Sequence, residues 1–143
     1  MNDITVSCAE LPQEPDCAKI EDFCDRVLLL EGIREWELSV LLCGNSFIQA
    51  LNKKYRGKDE PTDVLSFNQN QNPGNDGLFT AGDIVISLDY IENAADLKRC
   101  LVHGILHLEG MEHQEEGEYR EMIDRQEKIL EKLQDELPEV YIE

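Results

Sequence analysis

The chain has 143 residues, of which 41% are hydrophobic, and it carries a formal net charge of −18. This length and apolar content suit one folded domain over residues 1–143 and exclude a disordered chain, and the charge argues against indiscriminate binding to nucleic-acid phosphates. The longest apolar runs are far shorter than a membrane span, and the polar, acidic N-terminal segment lacks a signal-peptide pattern. We therefore expect a cytoplasmic protein with neither a membrane nor a DNA partner; its oligomeric state is left open.

Hydrophobic periodicity predicts an α+β fold, with a small mixed β-sheet of about four strands covered by about five helices. In chain order, the pattern predicts a strand at 4–7, a helix opened by Pro15 and Asp16, a strand at 36–43, a helix from the Gly44 turn to near Gly57, strands at 62–67 and 82–88, a helix from 91 or 96 to 109, and a helix at about 118–137. Residues 68–77 are predicted to form a polar loop, and Gly110 is expected to stop the preceding helix as its C′ residue.

The net charge is distributed unevenly along the chain. Residues 109–143 contain thirteen acidic residues against four basic ones, a local balance of −9. By contrast, four cations fall within six residues, at Lys53, Lys54, Arg56 and Lys58. The net charge of the whole chain therefore describes neither the acidic C-terminal region nor the basic cluster.

The cysteines are five in number, form no C-x-x-C pair and have mostly apolar flanks. We interpret them as reduced, largely buried small hydrophobic residues. A redox-active thiol or an additional metal ligand is the alternative, and no feature of the sequence supports it. The five residues are Cys8, Cys17, Cys24, Cys43 and Cys100.

All three histidines lie within eleven positions, at His103, His107 and His113. A spacing of four places the first two on one face of a helix, one turn apart, and Gly110 lets the chain turn back so that the third reaches the same point. Three imidazole nitrogens leave the fourth tetrahedral position of a zinc ion open, which is typical of a catalytic rather than a structural site. The pattern predicts one transition-metal ion per chain, with zinc favoured. The alternative is that the histidines merely pack or face solvent.

The same spacing occurs in metzincin proteases, whose motif is H-E-x-x-H-x-x-G-x-x-H. Those enzymes use the glutamate after the first histidine as the general base, and this chain has Gly104 at that position. Glu109 or Glu112 could replace that carboxylate only from another face of the helix. Proteolysis is therefore disfavoured, although hydrolysis of a peptide stays an alternative function.

Three segments of the chain resemble one protein family more closely than they resemble the metzincins, and they occur in the same order as in that family. Residues 103–113 match H-G-x-L-H-L-x-G-x-x-H, residues 51–67 resemble a helix, loop and strand with a characteristic arginine, and residues 82–87 resemble a central strand. The acidic helix that follows has residues at the matching offsets, namely Met122, Gln126, Ile129 and Leu130. Over residues 37–134 the chain thus resembles the YbeY family of bacterial endoribonucleases, the rRNA maturation factors.

The resemblance implies a zinc-dependent, single-strand-specific endoribonuclease that acts in 16S rRNA 3′-end maturation and ribosome quality control. It implies that His103, His107 and His113 bind the metal and that His103 and Arg56 serve catalysis. Single-stranded RNA such as 16S rRNA would be the substrate, with ribosomal proteins as further candidate partners. The Arg56 guanidinium, inside the basic cluster, would pair phosphate oxygens; otherwise it is a solvated cation at a helix end.

Several questions stay open at the level of sequence. Either water or the 2′-hydroxyl of the RNA could attack the phosphodiester, and a 2′,3′-cyclic phosphate product would indicate the hydroxyl. The acidic last helix is interpreted as facing away from RNA, toward solvent or a basic ribosomal protein. A ribosome-assembly factor with a structural zinc is the remaining alternative.

Overall fold

The computed structural model describes residues 1–69, 79–111 and 116–133. In these residues the strands are β1 (Asp3–Cys8), β2 (Trp36–Cys43), β3 (Val64–Asn68) and β4 (Phe79–Ser87). They form one sheet in the order β1-β2-β4-β3, in which β1, β2 and β4 run parallel and β3 pairs antiparallel with β4. The helices are α1 (Cys17–Leu30), α2 (Asn45–Arg56), α3 (Ala94–Leu108) and α4 (Glu116–Lys132), with a 3-10 turn at Leu88–Tyr90.

Helices cover both faces of the sheet. The larger hydrophobic core lies between one face and helices α1, α3 and α4, and a smaller core lies between the opposite face and α2. Alternation along β4 explains this division, because Ile84 and Ile86 belong to the larger core whereas Val85 lies in the smaller one with Ile48 of α2. The sheet is therefore buried on both sides at its centre, as a parallel arrangement requires.

The predicted fold class is confirmed, with four α-helices rather than about five in the described part of the chain. The predicted strands and helices are all present, with boundaries that shift by a few residues at most. The apolar face predicted for α1 is the buried one, and it consists of Ile20, Phe23, Cys24, Val27 and Leu28. Most of the predicted polar loop at 68–77 and the predicted end of the last helix at 137 lie outside the described residues.

Two aromatic residues that continue the apolar periodicity of their helices are solvent-accessible. Tyr55 is 58% exposed and Tyr119 is 50% exposed. In α2 the buried positions are Ile48 and Asn52, so the helix packs through a narrower stripe than its sequence suggests. Both tyrosines instead line clefts at the surface. Among the helices bounded above, none combines the length and the apolar content needed to span a bilayer.

Candidate functional site

Helix α3 positions two of the three predicted metal ligands. Asn93 caps its start, and Gly110, with a φ of 102°, lies just beyond its end as predicted. Near that end His103 and His107 are half-buried, with their Nε2 atoms 3.1 Å apart and their ring centroids 4.6 Å apart. Two nitrogens bound at about 2.0–2.1 Å to one tetrahedral zinc ion lie about 3.3 Å apart. The spacing of this pair therefore fits a shared ion.

Gln126 of α4 fixes the ring of the first histidine. Its side chain is buried, and its Oε1 lies 3.3 Å from Nδ1 of His103. A carboxamide oxygen accepts, so this contact favours the tautomer of His103 with its proton on Nδ1, in which Nε2 presents its lone pair toward His107. Metal-binding histidines are commonly held by such an acceptor on the other ring nitrogen. His113, the third predicted ligand, lies outside the described residues, so the full ligand set stays a prediction.

Arg56 lies in the same cleft as the two histidines. This cleft has a volume of about 550 Å³ and is lined by Arg56 at the end of α2, by His103 and His107, and by residues of β3. The turn that follows Arg56 is held in place, because the buried Asn52 donates from Nδ2 to the carbonyl of Glu60 at 2.9 Å. The structure therefore brings the predicted arginine and two predicted ligands to one cleft.

Asp63 is a cleft residue that the sequence analysis missed. Its carboxylate lines the histidine cleft and also a neighbouring cleft of about 370 Å³, and His103 lines both. The amide of Val64 donates to Asp63 Oδ1 at 2.8 Å, which orients the carboxylate at the start of β3. Acidic residues are common in the turn before a strand, so the sequence around Asp63 gave little indication that it lines a cleft. The sequence indicated a role for Gln126 more clearly, since a polar residue on a buried helix face requires a hydrogen-bonding partner.

Close packing at Gly104 disfavours a glutamate at the sequence position of the metzincin base. A Cβ atom on Gly104 would lie 2.9 Å from two side-chain carbons of Ile84, so α3 packs on β4 with no room for a side chain. Glu109 lies elsewhere, hydrogen-bonded to Glu31. Although Glu109 is exposed as a residue, burial of its carboxyl and this hydrogen bond raise its pKa to about 8. Glu112 lies outside the described residues.

Comparison with known proteins agrees with this geometry. Residues 9–134 match the family described as Endoribonuclease YbeY. An Endoribonuclease YbeY of Treponema denticola is 43% identical over 142 residues, which cover 90% of this chain and 92% of that protein. One of Borreliella burgdorferi is 44% identical over 126 residues, 76% of this chain and 81% of that protein. The solution structure of TM1509 from Thermotoga maritima matches with a TM-score of 0.58 and 25% identity, over 93% of this chain and 89% of that chain.

The mixed four-stranded sheet and these relatives define a nuclease of the α+β class. The chain belongs to the YbeY endoribonuclease family, which confirms the resemblance found in its sequence. Membership supports an endoribonuclease role with RNA as the substrate. The metal ligands and the role of Arg56 stay predictions.

Proposed function

We propose that this protein is a zinc-dependent endoribonuclease that cleaves single-stranded RNA in the cleft between the end of α2 and α3. The observation that carries the proposal is the convergence of His103 and His107, with Nε2 atoms 3.1 Å apart, in the cleft that also contains Arg56. His113 completes the set of ligands for one ion in this cleft, within one domain over residues 1–143. A bound zinc ion supplies Lewis acidity toward a phosphoryl oxygen.

Arg56 binds the phosphate under attack. A phosphodiester gathers negative charge on its non-bridging oxygens as it reacts, and a guanidinium can pair two of those oxygens at once. The neighbouring lysines are partly engaged elsewhere: Lys53 Nζ lies 3.8 Å from a carboxylate oxygen of Asp59, and Lys54 Nζ lies 5.1 Å from the ring centroid of Tyr55. Of these cations, only Arg56 lines the histidine cleft. The lysines then hold flanking phosphates.

An aromatic pair beside Arg56 accounts for a preference for single strands. Tyr55 and Phe67 line the cleft and contact each other edge to face, with ring centroids 5.3 Å apart. The ring of Tyr55 is 58% exposed, so a base can stack on it beside or in place of the Lys54 ammonium. Bases are free to leave the stack and use such a ring only where they are unpaired. The aromatic pair therefore selects single-stranded RNA.

Asp63 is the carboxylate that accepts a proton in the cleft. It lines both clefts together with His103, and the Val64 amide orients its carboxylate. If the 2′-hydroxyl attacks, Asp63 takes the hydroxyl proton and the product ends in a 2′,3′-cyclic phosphate. If water attacks, the product carries a 5′-phosphate. End-group analysis of the cleaved RNA distinguishes the two routes.

In the cell, the family resemblance supports cytoplasmic action at the 3′ end of 16S rRNA, in maturation and ribosome quality control. The acidic helix α4 divides into two sides. Glu116, Glu118 and Glu121 are exposed, and Tyr119 and Ile123 line the neighbouring cleft. Helical spacing places Glu118 and Glu121 on the side opposite that cleft, whereas Glu116 lies one turn before Tyr119 on the cleft side. The exposed acidic side repels RNA phosphates and is available to a basic ribosomal protein. Neutralising these three glutamates should weaken association with ribosomal proteins, and unchanged association would contradict that partner.

Cleavage assays on a single-stranded RNA oligomer and on casein test the proposed reaction. We expect the zinc-loaded protein to cleave RNA and not casein. Removing a group that stabilises transition-state charge costs about 100-fold to 1,000-fold in rate, so Arg56→Ala should lose about that much kcat. Lys58→Ala, a matched loss of one exposed cation two residues away, should mainly raise KM and its salt dependence. Wild-type kcat in Arg56→Ala, or cleavage of casein instead of RNA, would contradict the proposal.

A further inference from the structure

Two cysteines and a glutamate form a cluster away from the histidine cleft. Cys8 ends β1, Cys17 begins α1, and their Sγ atoms lie 3.9 Å apart. A carboxylate oxygen of Glu14 lies within 4.8 Å of both sulfurs. Both cysteines are half-buried and Glu14 is exposed, so the expected burial holds only for the other three cysteines. Those buried residues are Cys24, Cys43 and Cys100.

The distance between the two sulfur atoms suits a shared metal ion better than a disulfide. Two thiolates bound at about 2.3 Å to one tetrahedral ion place their sulfurs about 3.8 Å apart. A disulfide requires about 2.05 Å, roughly half of the separation between Cys8 and Cys17. The carboxylate of Glu14 adds an oxygen, which zinc accepts beside thiolate ligands. The three donors thus surround a common point.

All three side chains of the cluster can carry a negative charge that a divalent cation would offset. Burial of Cys8, the neighbouring Cys17 and the carboxylate of Glu14 raise the pKa of the Cys8 thiol to about 12. Two of these causes are the other members of the cluster, because their negative charges oppose ionisation of Cys8. A divalent cation at the centre reverses this effect, since it attracts all three groups. Cys17 is also the first residue of α1, where the helix dipole favours an anionic side chain.

We propose that Cys8, Glu14 and Cys17 form a second metal site, which binds a thiophilic divalent cation such as zinc. The site closes the loop of residues 9–16 between β1 and α1. Because β1 is an edge strand, an ion that ties its last residue to the first residue of α1 stabilises the edge of the sheet. Binding converts two thiols into thiolates and releases their two protons to solvent, while the carboxylate enters ionised. No electron is transferred, and uptake strengthens as the pH rises.

Cobalt(II) added to the reduced, full-length protein tests this site independently of the histidines. Thiolate ligands give a sulfur-to-cobalt charge-transfer band, which imidazole ligands do not. We expect the band in the wild type and in His103→Ala, and its loss in Cys8→Ser and in Cys17→Ser. Cys43→Ser is the matched control, because Cys43 lies in the core with its Sγ 3.5 Å from the carbonyl of Ile86, and it should keep the band.

Two further measurements keep the test decisive. Glu14→Gln should keep the band but bind cobalt at least about tenfold more weakly, since the loss of even an outer-shell partner of a ligand costs that much. Circular dichroism should show every variant folded, because the changed residues are at least partly exposed or, for Cys43, keep a hydrogen-bonding group. No band in the wild type, or a band that survives in folded Cys8→Ser, would overturn the proposal. Unchanged cobalt affinity in Glu14→Gln would also overturn it. So would oxidation of Cys8 and Cys17 to a disulfide in a protein whose reduced form shows no sulfur-to-cobalt band.

Discussion

Replacing Gln126 with leucine tests how the histidine site is organised. The change removes the acceptor that lies 3.3 Å from Nδ1 of His103, in a side chain that is only 3% exposed, while roughly preserving volume. Loss of the outer partner of a metal-binding histidine weakens metal affinity about 10-fold to 100-fold. Such a loss corresponds to about 1.4–2.7 kcal/mol of binding free energy. The hydrogen bond itself contributes about 1 kcal/mol to folding, so Gln126→Leu should remain folded.

Competition with a chromophoric chelator measures the zinc affinity of this variant directly. At saturating zinc, Gln126→Leu should recover most of the wild-type kcat, because Gln126 positions His103 without touching the RNA. Gln126→Glu keeps an acceptor and should keep the affinity. Met122→Leu, on the same buried face of α4, should cost less than about 1.5 kcal/mol of stability and leave zinc binding unchanged. Wild-type affinity in Gln126→Leu, or an equal loss in Met122→Leu, would refute the positioning role.

Three other substitutions have expected outcomes. Gly104→Ala gains about 1 kcal/mol of helix propensity but overpacks against Ile84 at a cost of about 1–3 kcal/mol. Urea unfolding should therefore show a free energy of unfolding lower by up to about 2 kcal/mol, and a stabilised variant would contradict the close packing. Tyr55→Ala should weaken binding of single-stranded RNA by about 1–3 kcal/mol without lowering Tm, and unchanged binding would exclude stacking. Arg125→Met removes the cation that lies 2.8 Å from Glu31, whose side chain is only 4% exposed. Because Arg125 itself is half exposed, urea unfolding should show a free energy of unfolding lower by only about 1–3 kcal/mol. A negligible change would show that solvent screens the pair.

The elements of the fold could be predicted because their local patterns agree with their packing. In α1, five apolar residues at helical spacing are the five that the sheet buries. In β2, the predicted and observed bounds coincide, because apolar residues alternate from Trp36 through Leu38, Val40 and Leu42 until Gly44 breaks the strand. The spacing of His103 and His107 likewise predicted their convergence, since a helix turn alone places them together.

The parts that the sequence did not predict depend on contacts between distant segments. Tyr55 continues an apolar stripe, and periodicity does not distinguish a core aromatic residue from one that lines a cleft. Asp63 and Gln126 reach the site only because β3 and α4 both pack against α3. Cys8 and Cys17 approach each other because the loop between β1 and α1 folds back, and neither flanking sequence contains that information.

The central claim is that His103 and His107 hold a catalytic ion in the cleft of Arg56, and cleavage by His107→Ala tests it most directly. Wild-type protein stripped by a chelator should stop cleaving single-stranded RNA and resume when zinc is returned. His107→Ala should melt at nearly the wild-type temperature, judged by circular dichroism, and should not cleave RNA with or without added zinc. An unfolded His107→Ala would indicate a structural ion, and a folded His107→Ala that cleaves at the wild-type rate would contradict the claim.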